Sequence, residues 1–484
     1  MALDRFRDEH GFLSEARNVA EKLRSLIDEN RQFMIICHND ADGLSAGAIA
    51  SAMLLREGAR FFTRAVREIE EALEALRSLP ERCVPIFADM GSGYLDELSQ
   101  VFGEKPLLIL DHHEPLGSPS SNIIQLNPHN YGINGAEEIS GAGVVYLVAK
   151  SLNEENILLS PVAVIGALGD LQDRSDERGL HGLNELIVRD AVDEGLLKVE
   201  DDLLFYGRSY KPIHVALAST MNPFIVGISG NEANAYSLLT SIGIKVKEDD
   251  RWRVLTDLSE DEKRQLYNGI LKHLASLGLP PSIVKELVGK VYELTKEEPW
   301  TYLRDAREFA SLLNACGKTG NEWLGIAIAM GGRGALLEEA QRVLEEYRRK
   351  MAESIEYAMR EENRQELKNL LVIDGGNVVD DRLISSVASM LSSMGLQGED
   401  RILVALAQSE DSIKVSARAS RKLVEKGLSL GKLLAKVAQL VGGKGGGHDI
   451  AAGANIPKTK KALFLLELDR IIEEELPKLR GSGL

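Results

Sequence analysis

Several residue types are scarce in this chain of 484 residues, and each shortage excludes a class of protein. The three cysteines, Cys37, Cys83 and Cys316, are far apart in apolar surroundings, so neither a disulfide framework nor a zinc knuckle is expected. Aromatic residues make up 5%, so the core must be packed mainly with aliphatic side chains. Because the chain lacks apolar runs of about 18 residues and its first residues are polar, we expect a cytoplasmic protein without a membrane segment.

An excess of positive charge is also lacking. The formal net charge of -17 argues against a protein that coats duplex nucleic acid with its whole surface. A local basic groove remains compatible with this total, because residues 411–461 hold eleven basic and three acidic residues, a local balance of +8. The length exceeds what one hydrophobic core supports, so two or three domains are expected.

Three apolar runs that are typical of buried strands each end in aspartate or histidine. The run 33–37 is followed by His38-Asn39-Asp40-Ala41-Asp42-Gly43, the run 84–88 by Asp89, and the run 107–110 by Asp111-His112-His113. Strands that alternate with helices form parallel sheets whose carboxyl ends converge on one edge. Residues 38–43 alone also fit an acidic turn that caps a helix. The repetition of aspartate or histidine after three predicted strands favours one site that these residues share.

A fourth acidic position, Asp170, follows an apolar helix or strand at 161–168. Mixed nitrogen and oxygen ligands of this kind suit Mn²⁺, with Mg²⁺ or Zn²⁺ as competitors. Two such ions, about 3.5 to 4 Å apart, stabilise the attacking and leaving oxygens of a phosphoryl displacement. The residues therefore indicate phosphoester hydrolysis.

Four motifs, taken in this order, resemble those of the DHH phosphoesterase superfamily. They are HNDADG at 38–43, ADMGSG at 88–93, DHHEP at 111–115 and GALGD at 166–170. The later segment LNACGK at 313–318 is similar to the Asn-Ala-x-Gly-Arg segment of RecJ-type nucleases. Its Lys318 replaces the usual arginine, which keeps the charge but loses bidentate phosphate geometry. The stretch GGKGGGH at 442–448 resembles the signature of the DHH-associated C-terminal domain.

The resemblance implies roles for individual residues. One ion would be held by His38, Asp40 and Asp89. The other would be held by Asp42, Asp89, His112 and Asp170, with Asp89 bridging. His113 would contact the scissile phosphate and Asp111 would orient the imidazoles, although both residues also fit plain polar support of the ligands. The residues implied in substrate binding are Asn314, Lys318, Arg418, Gly445, Gly446, Gly447 and His448.

The predicted fold class is α/β. It consists of an N-terminal doubly wound parallel-sheet DHH domain with a helical insertion, joined by a long helix to a smaller α/β DHH-associated domain. Sequence alone does not decide whether the insertion is a lid, a substrate-guiding wall or a docking surface. The expected boundaries are 1–200 for the catalytic domain, 201–299 for the mainly helical insertion, 300–334 for the end of the DHH domain, 335–368 for the connecting helix and 369–484 for the substrate-binding domain.

The function expected from this resemblance is a two-metal exonuclease that degrades single-stranded DNA, in the 5′ to 3′ direction, and also RNA. The chain resembles the archaeal GINS-associated nucleases, which implies replisome partners, namely the GINS complex and the replicative helicase. Two alternatives stay open. One is a phosphodiesterase for short oligonucleotides, and the other is a replication scaffold in which cleavage is secondary.

Overall fold

The computed structural model describes residues 7–77, 79–174, 178–221, 223, 225–278, 282–409, 412–447 and 449–480. The chain divides into two compact units, residues 1–344 and 345–484. Among the described residues, no helix has both the length and the apolar character needed to cross a membrane.

The first unit begins with a βα-alternating segment. Its strands are β1 (Gln32–His38), β2 (Arg60–Val66), β3 (Cys83–Ala88), β4 (Leu107–Leu110) and β5 (Ile123–Leu126). Its helices are α1 (Glu9–Asp28), α2 (Ala41–Arg56), α3 (Ile69–Arg77), α4 (Leu95–Phe102), α5 (Gly141–Leu152), α6 (Ser160–Gly169) and α7 (Leu183–Asp193).

The strands of this segment form one parallel sheet in the order β2-β1-β3-β4-β5. Side chains of β3 and β4 are buried along their whole length, which explains their continuous apolar sequences, since helices cover both faces of such sheets. The chain order runs outward from β1 to β2 and then returns to β3. The switch in direction places the ends of β1, β3 and β4 side by side at the carboxyl edge. The predicted α/β fold with an N-terminal parallel sheet is confirmed.

Between the fourth motif and the Asn-Ala-Cys-Gly segment the chain forms a separate small core of apolar side chains that includes Phe205, Leu217, Leu255 and Leu266. The helices are α8 (Ile213–Ser219), α9 (Glu232–Ser241), α10 (Glu260–Ser276) and α11 (Ser282–Lys285). The strands are β6 (Leu197–Leu203), β7 (Lys247–Glu248), β8 (Arg251–Trp252) and β9 (Val288–Leu294). Strand β6 pairs antiparallel with β9, so the two ends of the inserted segment are joined by a ribbon.

The chain then continues through α12 (Ala306–Lys318) and α13 (Glu322–Ala329) into α14 (Ala335–Met359). This helix begins where the connecting helix 335–368 is expected, but it ends at Met359, and residues 364–366 form a strand. The second unit contains β10 (Arg364–Glu366), β11 (Leu370–Asp374), β12 (Ile402–Gln408), β13 (Ser412–Arg418), β14 (Lys444–Gly447) and β15 (Ala451–Pro457). Its helices are α15 (Ile384–Ser393), α16 (Arg421–Glu425), α17 (Leu430–Leu440) and α18 (Lys461–Arg480).

These strands form a mixed sheet in the order β10-β11-β12-β13-β15-β14. One face packs on an apolar cluster that includes Leu434 and Phe464, and the other on a cluster that includes Val387 and Met351. The second unit is therefore a three-layer α/β domain with its own core.

Helix α12 has a buried carboxylate near its start. Glu308 accepts hydrogen bonds from the backbone N–H of Gly207 (2.8 Å) and the hydroxyl of Tyr210 (2.5 Å), both in the inserted segment. Burial, and then the charge of Asp305, raise the pKa of Glu308 to about 8 despite these donors. The inserted segment is thus attached to α12 by a titratable contact.

We expect Glu308 to make the folded first unit less stable as the pH rises. A carboxyl group whose pKa is raised binds more protons in the folded than in the unfolded state, so stability falls between the unfolded value near 4.5 and about 8. The slope is at most about 1.4 kcal/mol per pH unit. Unfolding midpoints measured from pH 5 to 8.5 should therefore show a weaker pH dependence in Glu308→Gln. Tyr210→Phe keeps the carboxyl group and should keep the wild-type slope; equal slopes in wild type and Glu308→Gln would contradict the assignment.

Candidate metal centre

Four segments of the parallel-sheet domain bring acidic and histidine side chains to the carboxyl edge of the sheet. His38 ends β1, and its Nδ1 lies 2.7 Å from Oδ2 of Asp40, the N-cap of α2. Asp89 follows β3 and is buried. It has a φ of +63°, a left-handed conformation that residues other than glycine adopt mainly where the surroundings impose it. His38, Asp40 and Asp89 have possible ligand atoms that all lie within 4.8 Å of one another.

A second group of ligand atoms surrounds the imidazole of His112, which follows β4. Its Nε2 lies 3.2 Å from Oδ1 of Asp89, 3.3 Å from Oδ2 of Asp170 and 3.8 Å from Oδ2 of Asp42. Asp42 belongs to the first turn of α2, and Asp170 immediately follows α6. The six residues expected to hold metal are therefore brought together, as two groups that meet at Asp89.

Asp111 lies behind the two histidines and is fully buried. Its Oδ2 accepts the backbone N–H of Ser92 (2.8 Å), and its Oδ1 accepts those of His112 (2.8 Å) and His113 (3.2 Å). Nδ1 of His113 lies 2.8 Å from the same Oδ1. Since these contacts occupy the Asp111 carboxylate, it orients the strand end and the His113 ring, whose side chain is 43% exposed.

The pKa values in this cluster are shifted because its carboxylates carry more negative charge than the neighbouring protein groups neutralise. Burial and the charges of Asp42 and Asp40 raise the pKa of Asp89 well above its usual range. Burial and Asp42 likewise raise the pKa of Asp170 to about 7. For His112, burial lowers the pKa, but Asp170 and Asp42 outweigh it and raise the pKa to about 9. Each shift means that the cluster is stabilised by added positive charge.

The residues present fit divalent cations. Oδ1 of Asp89 and Nε2 of His112 are buried and have no hydrogen-bond partner among the described residues. Buried polar atoms without partners are uncommon in native structures and are explained by a missing water or ion. The donor set of imidazole nitrogens and carboxylate oxygens suits Mn²⁺ or Mg²⁺, whereas Cys37 is buried in the adjoining strand as a core residue.

Backbone groups that the motifs do not reveal also shape this centre. The N–H groups of Gly141 and Ala142, at the start of α5, donate to Asp42 at 2.6 and 2.9 Å. Nδ1 of His112 lies 2.6 Å from the carbonyl oxygen of Gly135. The segment Ser140-Gly141-Ala142-Gly143 indicates only a helix start, because a sequence pattern does not disclose which carboxylate that helix faces.

Asn314 and Lys318 lie on α12 next to the loop 38–43. Oδ1 of Asn314 accepts the N–H of Ala41 at 2.9 Å, and the carbonyl of Gly317 accepts Nδ2 of Asn39 at 3.2 Å. Although burial acts to raise the pKa of Asp40, the charges of His38 and Lys318 lower it below its usual range. These two expected substrate-binding residues therefore adjoin the metal-ligand cluster.

The remaining expected substrate-binding residues lie in the second unit. The guanidinium of Arg418, at the end of β13, donates to the hydroxyls of Ser385 (2.9 Å), Ser389 (2.9 Å) and Ser416 (3.0 Å), and burial lowers its pKa to about 10. Gly445, Gly446 and Gly447 belong to β14 at the edge of the sheet, so this part of the glycine-rich stretch 442–448 forms a strand. His448 lies outside the described residues.

Glycine is required in this strand because α17 packs directly on it. A Cβ atom on Gly431 would lie 2.0 Å from the carbonyl oxygen of Gly447, and one on Gly445 would lie 2.8 Å from that of Leu434. A Cβ atom on Gly446 would meet nothing within 4 Å, so that residue has an open side.

Two lysines of the basic segment 411–461 are partly neutralised, since Lys422 and Lys426 pair with Asp400 at 3.5 and 3.3 Å.

Three family models match successive parts of the chain. Residues 32–169 match the DHH family, N-terminal domain. Residues 205–288 match the DHH-CID domain, and residues 368–474 match the DHHA1 domain. The matches agree with the observed parallel-sheet domain, the small inserted core and the three-layer second unit.

Among curated proteins, the chain is similar to the uncharacterized protein MJ0831 of Methanocaldococcus jannaschii. The two are 32% identical over 471 residues, which cover 96% of this chain and 99% of that protein. A second protein of that organism, the uncharacterized protein MJ0988, is 37% identical over 92 residues, which cover 19% of this chain and 26% of that protein.

Solved structures with the same fold include two of direct interest. RecJ from Thermus thermophilus in complex with Mn²⁺ matches with a TM-score of 0.58 and 16% identity, covering 95% of this chain. The match spans about half, 55%, of that RecJ chain. CDC45 from Entamoeba histolytica matches with a TM-score of 0.63 and 12% identity, covering 95% of this chain and 98% of its own.

Gly141→Ala should disrupt the ion site without changing a ligand. A Cβ atom there would lie 2.4 Å from Oδ1 and 2.5 Å from Cβ of Asp89, so the carboxylate must move. Mn²⁺ affinity measured by calorimetry should fall by roughly tenfold or more. The matched control is Gly143→Ala on the same helix turn, where the new Cβ would meet side-chain atoms of Ile139 (2.9 Å), Ile187 (3.0 Å) and Asn184 (3.6 Å), none of which is a proposed ligand. Equal Mn²⁺ affinity in the two variants would contradict this placement of Asp89.

Proposed function

This chain belongs to the DHH superfamily in its RecJ-like form, and on that premise we propose that it is a two-metal exonuclease for single-stranded DNA that also accepts RNA. The proposed direction of digestion is 5′ to 3′. The observation that carries the proposal is the pair of buried atoms, Oδ1 of Asp89 and Nε2 of His112, that face each other without hydrogen-bond partners among the described residues.

The proposed ligands divide into two sets that share Asp89. His38 and Asp40 complete one set, and the other contains Asp42, His112 and Asp170. Divalent ions held there supply Lewis-acid charge that stabilises the phosphate in the transition state and lowers the pKa of an attacking water. Mn²⁺ is the proposed ion, with Mg²⁺ as the alternative.

The chain's own groups then position the substrate. Asp111 accepts a hydrogen bond from Nδ1 of His113, and although burial lowers the pKa of His113, the charge of Asp111 raises it to about 9. In this imidazolium form Nε2–H donates a hydrogen bond to an oxygen of the scissile phosphate. Lys318, beside Asp40, supplies a cation for a neighbouring phosphate. Because lysine has a single charged nitrogen, it attracts the strand without fixing the plane of one phosphate.

The second unit is proposed to hold the polynucleotide strand. Arg418, held by Ser385 and Ser389, presents an oriented cation, and edge strand β14 presents backbone groups of glycine next to His448. Electrostatic contacts of this kind are independent of sequence and sensitive to salt. The unit would therefore retain the strand while the metal centre cleaves it.

A second candidate function is that of a replication scaffold. The match to the DHH-CID domain at residues 205–288 and the fold shared with CDC45 favour it. We propose that the chain associates with GINS and the replicative helicase as well as cleaving strands. A third candidate, a phosphodiesterase for short oligonucleotides, would act on the same bond but on dimers to pentamers.

Digestion of substrates labelled at either the 5′ or the 3′ end tests the proposed activity. Single strands of DNA and RNA of graded length are incubated with the protein and Mn²⁺. Successive loss from the 5′ end of long strands is the expected result. Activity confined to the shortest oligonucleotides would instead identify the phosphodiesterase. Absence of cleavage, together with retention of the protein on immobilised GINS, would identify the scaffold.

Asp89→Ala should abolish Mn²⁺-dependent cleavage because it removes the carboxylate that both ion sites share. Binding of single-stranded DNA, measured by fluorescence anisotropy, should remain because the substitution leaves the proposed strand contacts of Lys318 and of the second unit in place. Asp193→Ala, which removes an exposed carboxylate at the end of α7, is the control and should cleave normally. Wild-type turnover in Asp89→Ala would rule out the two-ion assignment.

Arg418→Ala and His448→Ala should each weaken binding of single-stranded DNA and reduce its salt dependence. Loss of one phosphate contact lowers the slope of log affinity against log salt by about 0.7 for a single strand. Lys368→Ala is a matched loss of charge near β10, at the opposite edge of the same sheet, and should leave the slope unchanged. Unchanged affinity and slope in Arg418→Ala and His448→Ala would remove the second unit from recognition.

A further inference from the structure

Backbone groups of the loop between β5 and α5, and of the first turn of α5, contact two of the proposed ligands. At one end the Gly135 carbonyl accepts Nδ1–H of His112, at 2.6 Å, which directs the lone pair of Nε2 toward the carboxylates. At the other end the N–H groups of Gly141 and Ala142 hold both oxygens of Asp42. The position of this loop therefore sets the positions of His112 and Asp42 together.

The buried side chain of Gln172 makes two hydrogen bonds to the middle of that loop. Its Nε2 donates to the carbonyl oxygens of Gly135 (3.0 Å) and Ile139 (3.3 Å), and its Oε1 accepts Nδ2 of Asn184 at 2.6 Å. Gln172 is 3% exposed, so little water can replace these bonds. The Gly135 carbonyl thus receives two donors, one from the ligand His112 and one from Gln172.

Gln172 also lies two residues beyond Asp170. Its backbone N–H donates to the Ala167 carbonyl at 3.1 Å, which continues the end of α6 past the ligand. The three ligands of one group, Asp42, His112 and Asp170, come from three distant parts of the sequence. Gln172 connects all three, because it follows Asp170 in the chain and holds the loop that orients the other two.

We propose that Gln172 is a positioning residue that preorganises the Asp42, His112 and Asp170 ion site. This inference rests on the proposed two-ion centre and adds that Gln172 supports one of its two ion sites selectively. His38 and Asp40 lie on β1 and at the start of α2, and they contact each other directly. Loss of the Gln172 amide should therefore weaken one ion site much more than the other.

The chemistry of the amide gives two informative substitutions. Gln172→Ala leaves the Ile139 carbonyl and the Asn184 amide without their partner, which frees the loop to shift. Gln172→Glu keeps the size of the side chain but sets a carboxylate against two carbonyl oxygens, which repel it. Both variants should disturb His112 and Asp42 while every ligand remains in place.

Calorimetric titration with Mn²⁺ tests the inference on the full chain. The wild type should bind two ions, and the electron paramagnetic resonance spectrum should show the spin coupling of a neighbouring pair. In Gln172→Ala and Gln172→Glu, one ion should bind roughly ten- to hundredfold more weakly and the other nearly normally. The coupled signal should then be replaced by that of an isolated ion at low Mn²⁺.

A buried glutamine elsewhere separates positioning from general stability. Gln397 is 4% exposed in the second unit and donates to the Ser392 hydroxyl at 2.7 Å. Gln397→Ala should lower the unfolding temperature and still bind two ions. If Gln172→Ala also lowers only the unfolding temperature, with both affinities unchanged, the proposal is wrong and Gln172 is structural.

A milder variant covers the case in which Gln172→Ala does not fold. Asn184→Ala removes the partner of the Gln172 Oε1 without touching the loop, and it should weaken the same ion by a smaller factor. Equal weakening of both ions in Asn184→Ala would overturn the selectivity. A wild type that binds fewer than two ions overturns the inference as well. A wild type that binds two ions but does not cleave leaves the role of Gln172 intact and refutes the proposed nuclease.

Discussion

Charge repulsion among Asp42, Asp89 and Asp170 around one imidazole is the constraint on which the rest of the site depends. Their carboxylate oxygens lie 3.2 to 3.8 Å from Nε2 of His112, and Asp42 and Asp89 are buried where little water screens them. The same arrangement of carboxylates and imidazole could hold a divalent cation. The pKa values of Asp89, Asp170 and His112 are raised because a bound proton reduces the net negative charge of this cluster.

Hydrogen bonds and an unusual backbone conformation hold these carboxylates in place despite their mutual repulsion. The first turn of α5 directs two N–H groups at Asp42, where the helix dipole also favours negative charge. Asp111 is held by three N–H groups and gives the strand end after β4 its shape. Asp89 takes a left-handed φ, and neighbouring Gly141 leaves room for its side chain. Two of these supports, the start of α5 at Asp42 and Gly141 at Asp89, come from a different segment than the ligand they serve.

Much of the fold and of the candidate site was predictable from the sequence. Apolar runs that end in Asp89 and Asp111 identified two of the converging strands, because buried parallel strands are apolar on both faces. The fold class and the family were predicted from the motifs, and the structure and the comparisons confirm both. The sequence did not indicate that residues 444–447 form an edge strand, because that depends on how closely Gly431 of α17 approaches Gly447. The hydrogen bonds that bind Arg418 to Ser385 and Ser389 depend on α15 packing beside β13 and were likewise hidden.

The sequence by itself determined the types of ligand, their order along the chain and the elements that carry them, because local patterns of apolar and polar residues specify strands, helices and their ends. Only the tertiary structure decided which groups meet. Gln172 reads as an ordinary polar residue after Asp170, and Gly135 as an ordinary loop glycine. They connect to His112 only because β4, the β5–α5 loop and α6 end at one edge of the sheet. Hydrogen bonds between residues tens of positions apart depend on that packing, and no local pattern encodes them.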